Sequence, residues 1–421
     1  MSKSTRIAAA AVAVGALLAA CSGGGAGGPA SSAESGEVTD DKILLGIIND
    51  MSGVYSELGG ENAVEAVKMA VEDFKKAHAD ELLTEDISVV SADHQNKPEI
   101  ANTAAREMYD RQGVDLILDV PTSSAALAVA DVAKQAKKPY INISAATTEL
   151  EGGKCNKYTF HYAYNTYVLA NGTGSALTQQ GAKNWYIIYP DYAYGQDANA
   201  KFTTAIREAG GSVVASDPTP FPNDNFTTFL LKAPTLTPKP DVLGVMQVGG
   251  DLVNVVKQYN EFGLKEKGVD LAVGLLFDTE IASIGVESLS GTTYTTAWFW
   301  NVDEESREWA DRFLERTGTR PTFVHAGNYS AATQYLEAVH RARSDGGDAV
   351  VEELEGHRFD DFFARNSTIR EEDHLNVHDV YLAQVKKPSE VDEEMDFTKV
   401  VSKIDGANAF QEPDAACVMG E

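Results

Sequence analysis

The folded part of the chain opens with an apolar run, a polar loop and a helical repeat in quick succession. Residues 43–48 are apolar and rich in β-branched side chains, which predicts a strand buried on both faces. Residues 49–60 then supply Asp, Ser and three glycines, and apolar residues recur at helical spacing from Ala63 to Phe74. Ligands of open α/β sheets lie at the carboxyl ends of the strands, where such loops occur. This stretch therefore predicts one wall of a binding cleft.

The same alternation of short apolar runs and longer helical patterns continues to residue 150. The predicted strands are 87–92, 115–120 and 139–143, and the predicted helices are 98–111 and 124–137. Strands that alternate with helices of ten or more residues indicate a parallel sheet with right-handed crossovers. These residues predict one complete α/β layer.

A second series of the same kind begins after the chain changes character near residues 160–164. Its predicted helices are 167–180, 193–209, 223–231 and 251–262, and its predicted strands are 185–189, 212–216, 241–247 and 271–276. Two α/β halves of similar size predict two lobes with a crevice between them. The fold class is therefore α/β, with two Rossmann-like lobes on parallel-sheet cores.

The last third of the chain is predicted to return to the first lobe. An extended aromatic-rich run covers 292–300, and helices follow at 304–316 and 324–342, with a shorter helix ending within 360–364. A late strand is predicted at 377–385, and residues 389–421 are acidic and weakly patterned.

The N-terminus has the pattern of an export signal. Lys3 and Arg6 precede an apolar run over residues 7–20, which is short for a membrane span, so residues 1–20 are predicted to be a signal peptide. The sequence Leu-Ala-Ala-Cys that ends at Cys21 resembles the bacterial lipobox, in which the cysteine is acylated. A plain secretory signal cut near Ala20, with an incidental cysteine, is the alternative. Residues 21–37 are rich in Gly and Ser and predict a flexible, lipid-anchored tether.

Charge and cysteine content narrow the possible partners. The formal net charge of −28 over 421 residues argues against nucleic acid as a partner. With Cys21 set aside, Cys155 and Cys417 form an even pair in a compartment that permits disulfides, so we expect them to bond. Two buried free thiols are the alternative.

The sequence offers little for catalysis. It contains no HExxH, CxxC, GxSxG or GxxxxGK[ST] motif. Gly172-Thr173-Gly174 resembles the start of a dinucleotide fingerprint but lacks the third glycine, and the four-residue spacing of His374 and His378 leads into a strand. We therefore predict neither enzymatic activity nor a cofactor or metal.

Two loops of the first lobe carry small hydroxyl residues at predicted strand ends. Thr122, Ser123 and Ser124 follow one strand and lead straight into a helix, and residues 144–148 (SAATT) follow the next strand. Free amides and hydroxyls at a partly positive helix end are suited to a carboxylate. The alternative is that these residues are ordinary helix N-caps.

Aromatic and acidic residues follow the strands of the second lobe. The segment 190–195 (PDYAYG) places Tyr194 at a strand end, where its ring and hydroxyl suit a small organic ligand or merely pack the loop. Gln247 and Asp251 flank a pair of glycines after another strand, and Asp278 follows the next. Either acid is a candidate to receive a ligand amine.

Between Lys42 and about Val385 the chain resembles the lipid-anchored substrate-binding proteins of ABC importers. The resemblance is to the branched-chain amino acid type with the type I periplasmic-binding fold. It rests on the order and spacing of ILLGIINDMSGVYSELGGENAVEAVKMAVEDF, the hydroxyl loops at Thr122 and Ser144, HYAYNTYVLANGTGSAL, DYAYG and RPTFVHAGNYSAATQYLEAV.

This resemblance implies an architecture, a location and partners. The lobes would comprise residues 38–163 with 297–370 and residues 164–296 with 371–421, joined by a three-strand hinge that closes on a ligand. The protein would be a monomer at the outer face of the cytoplasmic membrane, anchored in the bilayer through Cys21. It would deliver its ligand to an ABC permease. A sensor subunit that signals to a membrane receptor is the alternative, and a hydrolase is opposed by the missing nucleophile and base.

The resemblance also assigns roles in ligand binding. Thr122 and Ser123 match the loop that holds the ligand carboxylate, and Ala145 and Thr147 match a second loop at the same head group. Tyr194 falls on the tyrosine of a DxxYG motif that covers the ligand. The full predicted ligand set is Tyr55, Leu58, Thr122, Ser123, Ser124, Ala145, Thr147, Tyr194, Gln247, Asp278, His325 and Tyr329.

Within that set, Tyr55 or Leu58 would contact the ligand side chain, and His325 and Tyr329 would contact the ligand from the returning first lobe. Asp278 falls within one or two positions of the acid that receives the α-amino group in amino-acid binders. If Asp278 faces the cleft, an amino acid is expected. If it does not, a carboxylate without an amine fits, and an aromatic acid would match Tyr55, Tyr194 and Trp298.

Overall fold

The computed structural model describes residues 38–419. The predicted signal peptide, the acylation site at Cys21 and the tether to residue 37 lie outside the described residues. Within the described part, none of the helices has the length and apolar character that crossing a membrane requires.

Lobe 1 is built on a parallel sheet. Its strands are β1 (Lys42–Asn49), β2 (Asp86–Asp93), β3 (Leu116–Asp119), β4 (Tyr140–Asn142) and β5 (Thr159–His161), and its first helices are α1 (Gly60–Ala77), α2 (Pro98–Glu107) and α3 (Ser123–Ala136). The strand order is β2-β1-β3-β4-β5, with every pair parallel. Alternate residues of β1 point to opposite faces: Ile43, Leu45 and Ile47 pack in the core beneath α1, whereas Leu44 and Ile48 pack with α2 and α3. The apolar run at the start of the fold is thus a strand covered on both sides.

Lobe 2 repeats this plan. Its strands are β6 (Asn184–Pro190), β7 (Ser212–Thr219), β8 (Val242–Val245) and β9 (Asp270–Val273), and its helices are α4 (Thr166–Leu169), α5 (Ser175–Gln179), α6 (Ala193–Glu208), α7 (Thr227–Lys232), α8 (Gly250–Glu261), α9 (Asp278–Ile284) and α10 (Val286–Leu289). The sheet is parallel in the order β7-β6-β8-β9. A π-helical turn over Ala170–Gly174 joins α4 to α5.

The remaining chain connects the lobes and completes both. It comprises β10 (Thr293–Thr296), α11 (Glu304–Thr317), α12 (Phe323–Ala342), α13 (Gly347–Leu354), β11 (Arg358–Phe359), β12 (Ser367–Ile369), β13 (Asn376–Val377), β14 (Val380–Val385), β15 (Thr398–Ile404) and α14 (Gly406–Ala409). β10, β14 and β15 form an antiparallel sheet whose inner residues join the core of lobe 2, whereas α12 packs against α1 of lobe 1. The chain therefore passes between the lobes after β5, after β10 and after β13. The lobe boundaries expected from the sequence stay predictions.

Most predicted elements of both lobes are confirmed, but some elements were missed, and the region after residue 342 also contains errors. The short helix predicted to end within 360–364 is wrong: Asp361 instead accepts hydrogen bonds from the Phe363 and Ala364 amides at 3.0 and 2.7 Å, which stabilises a bend. The elements that were not predicted are α9, α10, α13, α14, β5, β11, β12 and β15. β15 lacks apolar alternation because most of its side chains are exposed. The predicted strand 377–385 is divided by His378, whose ring bonds to the Ala163 and Asp379 carbonyls at 2.8 Å each.

The C-terminal segment returns to lobe 1. Cys417 is paired with Cys155 in the structure, and their Cα atoms lie 5.5 Å apart. Gln411 also donates to Glu151 at 2.9 Å. Formation of the disulfide in the exported protein stays a prediction.

Candidate functional site

A small cavity lies between the carboxyl ends of the two parallel sheets. From lobe 1 and the first crossing it is lined by Tyr55, Leu58, Pro121, Ser123, Ser144, Ala146, Tyr164 and Val324, and from lobe 2 by Tyr192, Tyr194, Val248, Leu275 and Phe277. None of these lining side chains carries a formal charge. The wall is mostly apolar and aromatic, with a small number of hydroxyl groups, which is the usual composition of a small-molecule site.

The polar part of the wall is the turn from β3 into α3. Asp119 and Val120 have φ values of 75° and 74°, so the chain leaves the sheet sharply and begins α3 at Ser123. The Thr122 carbonyl accepts hydrogen bonds from the Ala125 and Ala126 amides at 2.8 and 2.9 Å. The amides of Ser123 and Ser124 come earlier in the first turn of the helix, where no intrahelical acceptor is available. The Ser123 hydroxyl is fully buried and has no hydrogen-bond partner among the described residues. A positive helix end and a free hydroxyl thus meet at the cavity.

Buried Asp119 holds three parts of lobe 1 in register behind this turn. Its carboxylate accepts hydrogen bonds from Asn49 of β1 at 2.9 Å, from Asn328 of α12 at 3.0 Å, and from Ser144 after β4. Burial raises the pKa of Asp119 to about 6. Because the Ser144 hydroxyl donates to Asp119, Ser123 is the serine whose hydroxyl is available in the cavity.

The loop after β1 is organised by Asp50. Its carboxylate accepts hydrogen bonds from the Gly53 and Tyr55 amides at 2.7 and 2.9 Å and from the Asn96 side chain at 2.5 Å. This fixes Tyr55, whose hydroxyl lies 2.7 Å from the Tyr192 hydroxyl of lobe 2. The polar residues of the loop thus serve to aim a tyrosine across the cleft.

Lobe 2 presents aromatic rings at the start of α6. Tyr192 immediately precedes the helix, and its ring centroid lies 4.6 Å from that of Phe221 and 5.9 Å from that of Tyr194. The Tyr194 hydroxyl is buried and has no partner within residues 38–419. Burial raises the pKa of Tyr194, which keeps the hydroxyl protonated and able to donate.

The two lobes touch around the mouth of the cavity. Besides the pair of tyrosines, the Gly250 amide donates to the Val54 carbonyl at 3.1 Å, and the Thr148 amide donates to Asp197 at 2.7 Å. These contacts enclose the cavity.

None of the acidic residues of lobe 2 lines the cavity. Asp278 accepts a hydrogen bond from Thr398 at 2.9 Å and borders a second, smaller space. Phe277 borders both spaces, and its ring stacks on Phe323 with centroids 4.6 Å apart. Burial raises the pKa of Asp278 to about 7. Asp251 accepts from the Asn223 amide at 3.0 Å, and burial raises its pKa to about 6.

Four members of the predicted ligand set line the cavity: Tyr55, Leu58, Ser123 and Tyr194. Contact with a ligand stays a prediction for these four residues and for the other members of the set. Thr122 donates its hydroxyl to Asn96, and Ser124 accepts from the Ala193 amide at 3.4 Å, which places it at the contact between the lobes.

The other predicted residues have protein partners beside the cavity or behind its wall. The Ala145 carbonyl accepts from His161 at 2.7 Å, and the Thr147 hydroxyl accepts from the Glu149 amide at 3.4 Å. The Gln247 side-chain nitrogen donates to Thr219 at 3.1 Å, whereas its Oε1 is buried and has no partner among the described residues. The Nε2 of His325 lies 2.9 Å from the Gly59 carbonyl, and the Tyr329 hydroxyl donates to Asp73 at 2.7 Å.

Several lining residues were missed by a single position. Ala146, Val248, Phe277 and Val324 each adjoin a predicted residue in the sequence. The sequence identified the strand-end loops but not which of two neighbouring side chains faces the cavity. Trp298, considered for an aromatic ligand, borders the smaller space and donates to the Ser306 hydroxyl at 2.9 Å.

A family model described as periplasmic binding protein matches residues 42–390. The chain belongs to this family. A crystal structure of a periplasmic binding protein from Burkholderia mallei is 40% identical, with a TM-score of 0.84 over 88% of this chain and 96% of that one. Another, of a branched-chain amino acid ABC transporter periplasmic ligand-binding protein from Burkholderia xenovorans LB400, is 33% identical, with a TM-score of 0.78 over 89% of this chain and 100% of that one.

The similarity extends to curated relatives of the same kind. Leu/Ile/Val-binding protein homolog 6 of Brucella melitensis is 24% identical over 271 residues, which are 64% of this chain and 67% of that protein. The family resemblance and the two-lobed type I fold expected from the sequence are therefore confirmed. The family consists of extracytoplasmic solute-binding proteins, not enzymes.

Proposed function

We propose that the protein is the solute-binding component of an ABC importer, capturing a small carboxylate between its lobes and delivering it to a permease in the cytoplasmic membrane. The observation that carries this proposal is the enclosed cavity into which two buried, unpartnered hydroxyls, of Ser123 and Tyr194, project. The Burkholderia xenovorans relative, an ABC transporter ligand-binding protein by name, supports the transport role.

Capture would proceed by hinge closure. Lobe-to-lobe contacts such as Tyr55 with Tyr192 and Gly250 with Val54 enclose the cavity, so a ligand must enter and leave through a more open form. A ligand that contacts both lobes binds the closed form better and shifts the population toward it. The permease would then recognise the closed shape.

A carboxylate suits the lobe 1 wall. The amides of the first turn of α3 and the Ser123 hydroxyl can donate to it, and the partial positive charge of a helix N-terminus favours an anion. The Tyr194 hydroxyl adds a donor from the opposite lobe. The predicted ligand residues beyond the cavity lining would act by positioning these groups.

Export and anchoring complete the proposal. Residues 1–20 would be removed, Cys21 acylated, and residues 21–37 would tether a monomeric globule to the membrane. Cys155 and Cys417 would be joined by a disulfide. Intact mass spectrometry of the exported protein tests both statements, because a free thiol at either position, or an unmodified Cys21, would contradict them.

A thermal-shift screen followed by calorimetry tests the binding function. The panel contains branched-chain and aromatic amino acids, the corresponding amine-free acids, and short amides. A specific ligand raises the melting temperature by mass action. Once the ligand concentration exceeds Kd, the increase grows with the logarithm of that concentration. At least one panel member should do so and should bind with 1:1 stoichiometry. No shift with any member would count against the proposal.

A further inference from the structure

We propose that the ligand of this cavity is a monocarboxylate that lacks an α-ammonium group and has a compact apolar or aromatic body. This inference rests on the proposed function and narrows its ligand class. It follows from which groups around the cavity are free to bind and which are already engaged.

Among the lining residues, the side-chain polar atoms without a partner in residues 38–419 are two hydroxyls, which can donate to an anion. The Ser123 hydroxyl and the Tyr194 hydroxyl both line the cavity, are buried, and have no partner in the described chain. The first amides of α3 lie beside Ser123. Burial raises the pKa of Tyr194, so its hydroxyl is a proton donor at any ordinary pH.

The carboxylates that could pair with an ammonium group are engaged elsewhere. Glu280 accepts hydrogen bonds from the Phe277 amide at 2.8 Å and from the Gly249 amide, so both of its oxygens hold lobe 2 loops together. Asp278 accepts from Thr398 in the smaller space behind Phe277. Asp251 accepts from the Asn223 amide. None of the three is among the lining residues.

The backbone carbonyls of the loop after β4 are engaged as well. The Ser144 carbonyl accepts from the Tyr164 hydroxyl at 2.6 Å, the Ala145 carbonyl from His161 at 2.7 Å, and the Ala146 carbonyl from the Thr166 amide at 2.8 Å. This loop borders the cavity through Ser144 and Ala146. Each of these carbonyls already accepts one hydrogen bond, which leaves only its second lone pair for an ammonium group.

The rest of the wall is suited to a compact apolar body. Leu58, Val248, Leu275 and Val324 supply aliphatic surface, and the tyrosines and Phe277 supply rings. Burial of an apolar group contributes about 25 cal/mol per Å² of surface removed from water. An ammonium group buried in the same place without an acidic partner loses its hydration and gains little in return.

Matched pairs of ligands test the inference by isothermal titration calorimetry on the mature protein. The pairs are 3-phenylpropanoate with phenylalanine and 4-methylpentanoate with leucine, which differ only in the α-amine. The inference predicts that in at least one pair the acid binds and the amino acid binds at least about 100-fold more weakly, as expected for an unpaired buried charge. The amide 3-phenylpropanamide should bind at least about tenfold more weakly than 3-phenylpropanoate, because the helix end favours an anion.

The possible outcomes separate the inference from the proposed function. Leucine or phenylalanine binding as tightly as its acid would overturn the inference and leave the solute-binding function in place. A tighter complex with the amide would also overturn the inference alone. No binding by any of the five compounds would overturn the inference, and with a negative thermal-shift panel it would count against the proposed function too.

Discussion

The two walls of the cavity are built from equivalent strand-end loops but differ in the polar groups that they leave free. In lobe 1 the turn into α3 leaves the Ser123 hydroxyl unpartnered and facing the cavity. In lobe 2 the acids Glu280 and Asp278 bond to their own lobe, and aromatic side chains such as Tyr194 face the cavity instead. A polar residue at a strand end is therefore available to a ligand only if it does not already form hydrogen bonds within the protein.

The largest loss of ligand affinity should come from a substitution that keeps the two lobes apart. Gly249 of lobe 2 has a φ of 66°, and a Cβ there would collide with the Val54 carbonyl oxygen of lobe 1. Gly249→Ala should lower the affinity for the best acid of the panel by at least about 100-fold, because closure becomes unfavourable by several kcal/mol. Calorimetry measures this change.

The matched control is Gly210→Ala. Gly210 has a similar φ of 81° but no atom near the position of a Cβ. This variant also places a side chain at a positive φ but introduces no contact between the lobes, so the affinity should change less than about threefold. Equal losses in the two variants would show that strain alone, and not blocked closure, is responsible.

Removal of the free hydroxyl of lobe 1 should cause the next largest loss of ligand affinity. Ser123→Ala should weaken binding of the acid about tenfold to 100-fold, the value of a hydrogen bond to a charged group. The neighbouring Ser124→Ala removes only a 3.4 Å hydrogen bond from the Ala193 amide and should cost less. Titrations of both variants with one acid give the comparison, and a larger loss for Ser124→Ala would contradict the assignment.

Neutralising an engaged acid of lobe 2 should have little effect on affinity. Asp278→Asn keeps a hydrogen-bonding group beside Thr398 and lies behind Phe277, so the Kd for the acid should change less than about threefold. If Asp278 instead held a ligand amine, its loss would cost far more, because an ammonium group would be left unpaired. A change of tenfold or more in a calorimetric titration would place Asp278 in the site.

The smallest effect concerns the pH dependence of stability. Burial raises the pKa of Glu280 from 4.5 to about 8. The folded protein therefore keeps a proton that the unfolded chain has released, so this contribution is complete below about pH 4.5 and is lost as the pH rises through 8. Glu280→Gln should flatten the decline in unfolding free energy between pH 5 and 8 by up to about 1.4 kcal/mol per pH unit.

Chemical denaturation across this pH range measures the slope. Glu57→Gln, at an exposed acid of the lobe 1 loop, serves as the control. Asp278, Asp119 and Asp251 also have raised pKa values, so part of the decline should remain in Glu280→Gln. An unchanged slope in that variant would contradict the account of Glu280 as a buried, protonated acid.

The elements of the fold were predictable because hydrophobic periodicity follows directly from burial. β1 alternates between two cores and α1 faces one of them, and both appear as clear patterns in the sequence. β15 was not predictable in this way, because its exposed side chains leave no alternation.

The candidate site was predictable only to within a loop. Ser123 and Tyr194 were identified, whereas Phe277 and Val324 were missed beside Asp278 and His325. Which neighbour faces the cavity depends on partners far away in the sequence, such as Thr398 for Asp278 and Gly59 for His325. No local pattern records such pairings.

The most direct test of the central claim is a crystal structure of the protein with its tightest-binding acid. The account predicts the ligand in the cavity between the lobes, with its carboxylate within hydrogen-bond distance of the Ser123 hydroxyl and the first amides of α3, and with its body against Tyr194 and Phe277. A ligand bound outside this cavity, or a carboxylate pointing away from Ser123, would contradict it.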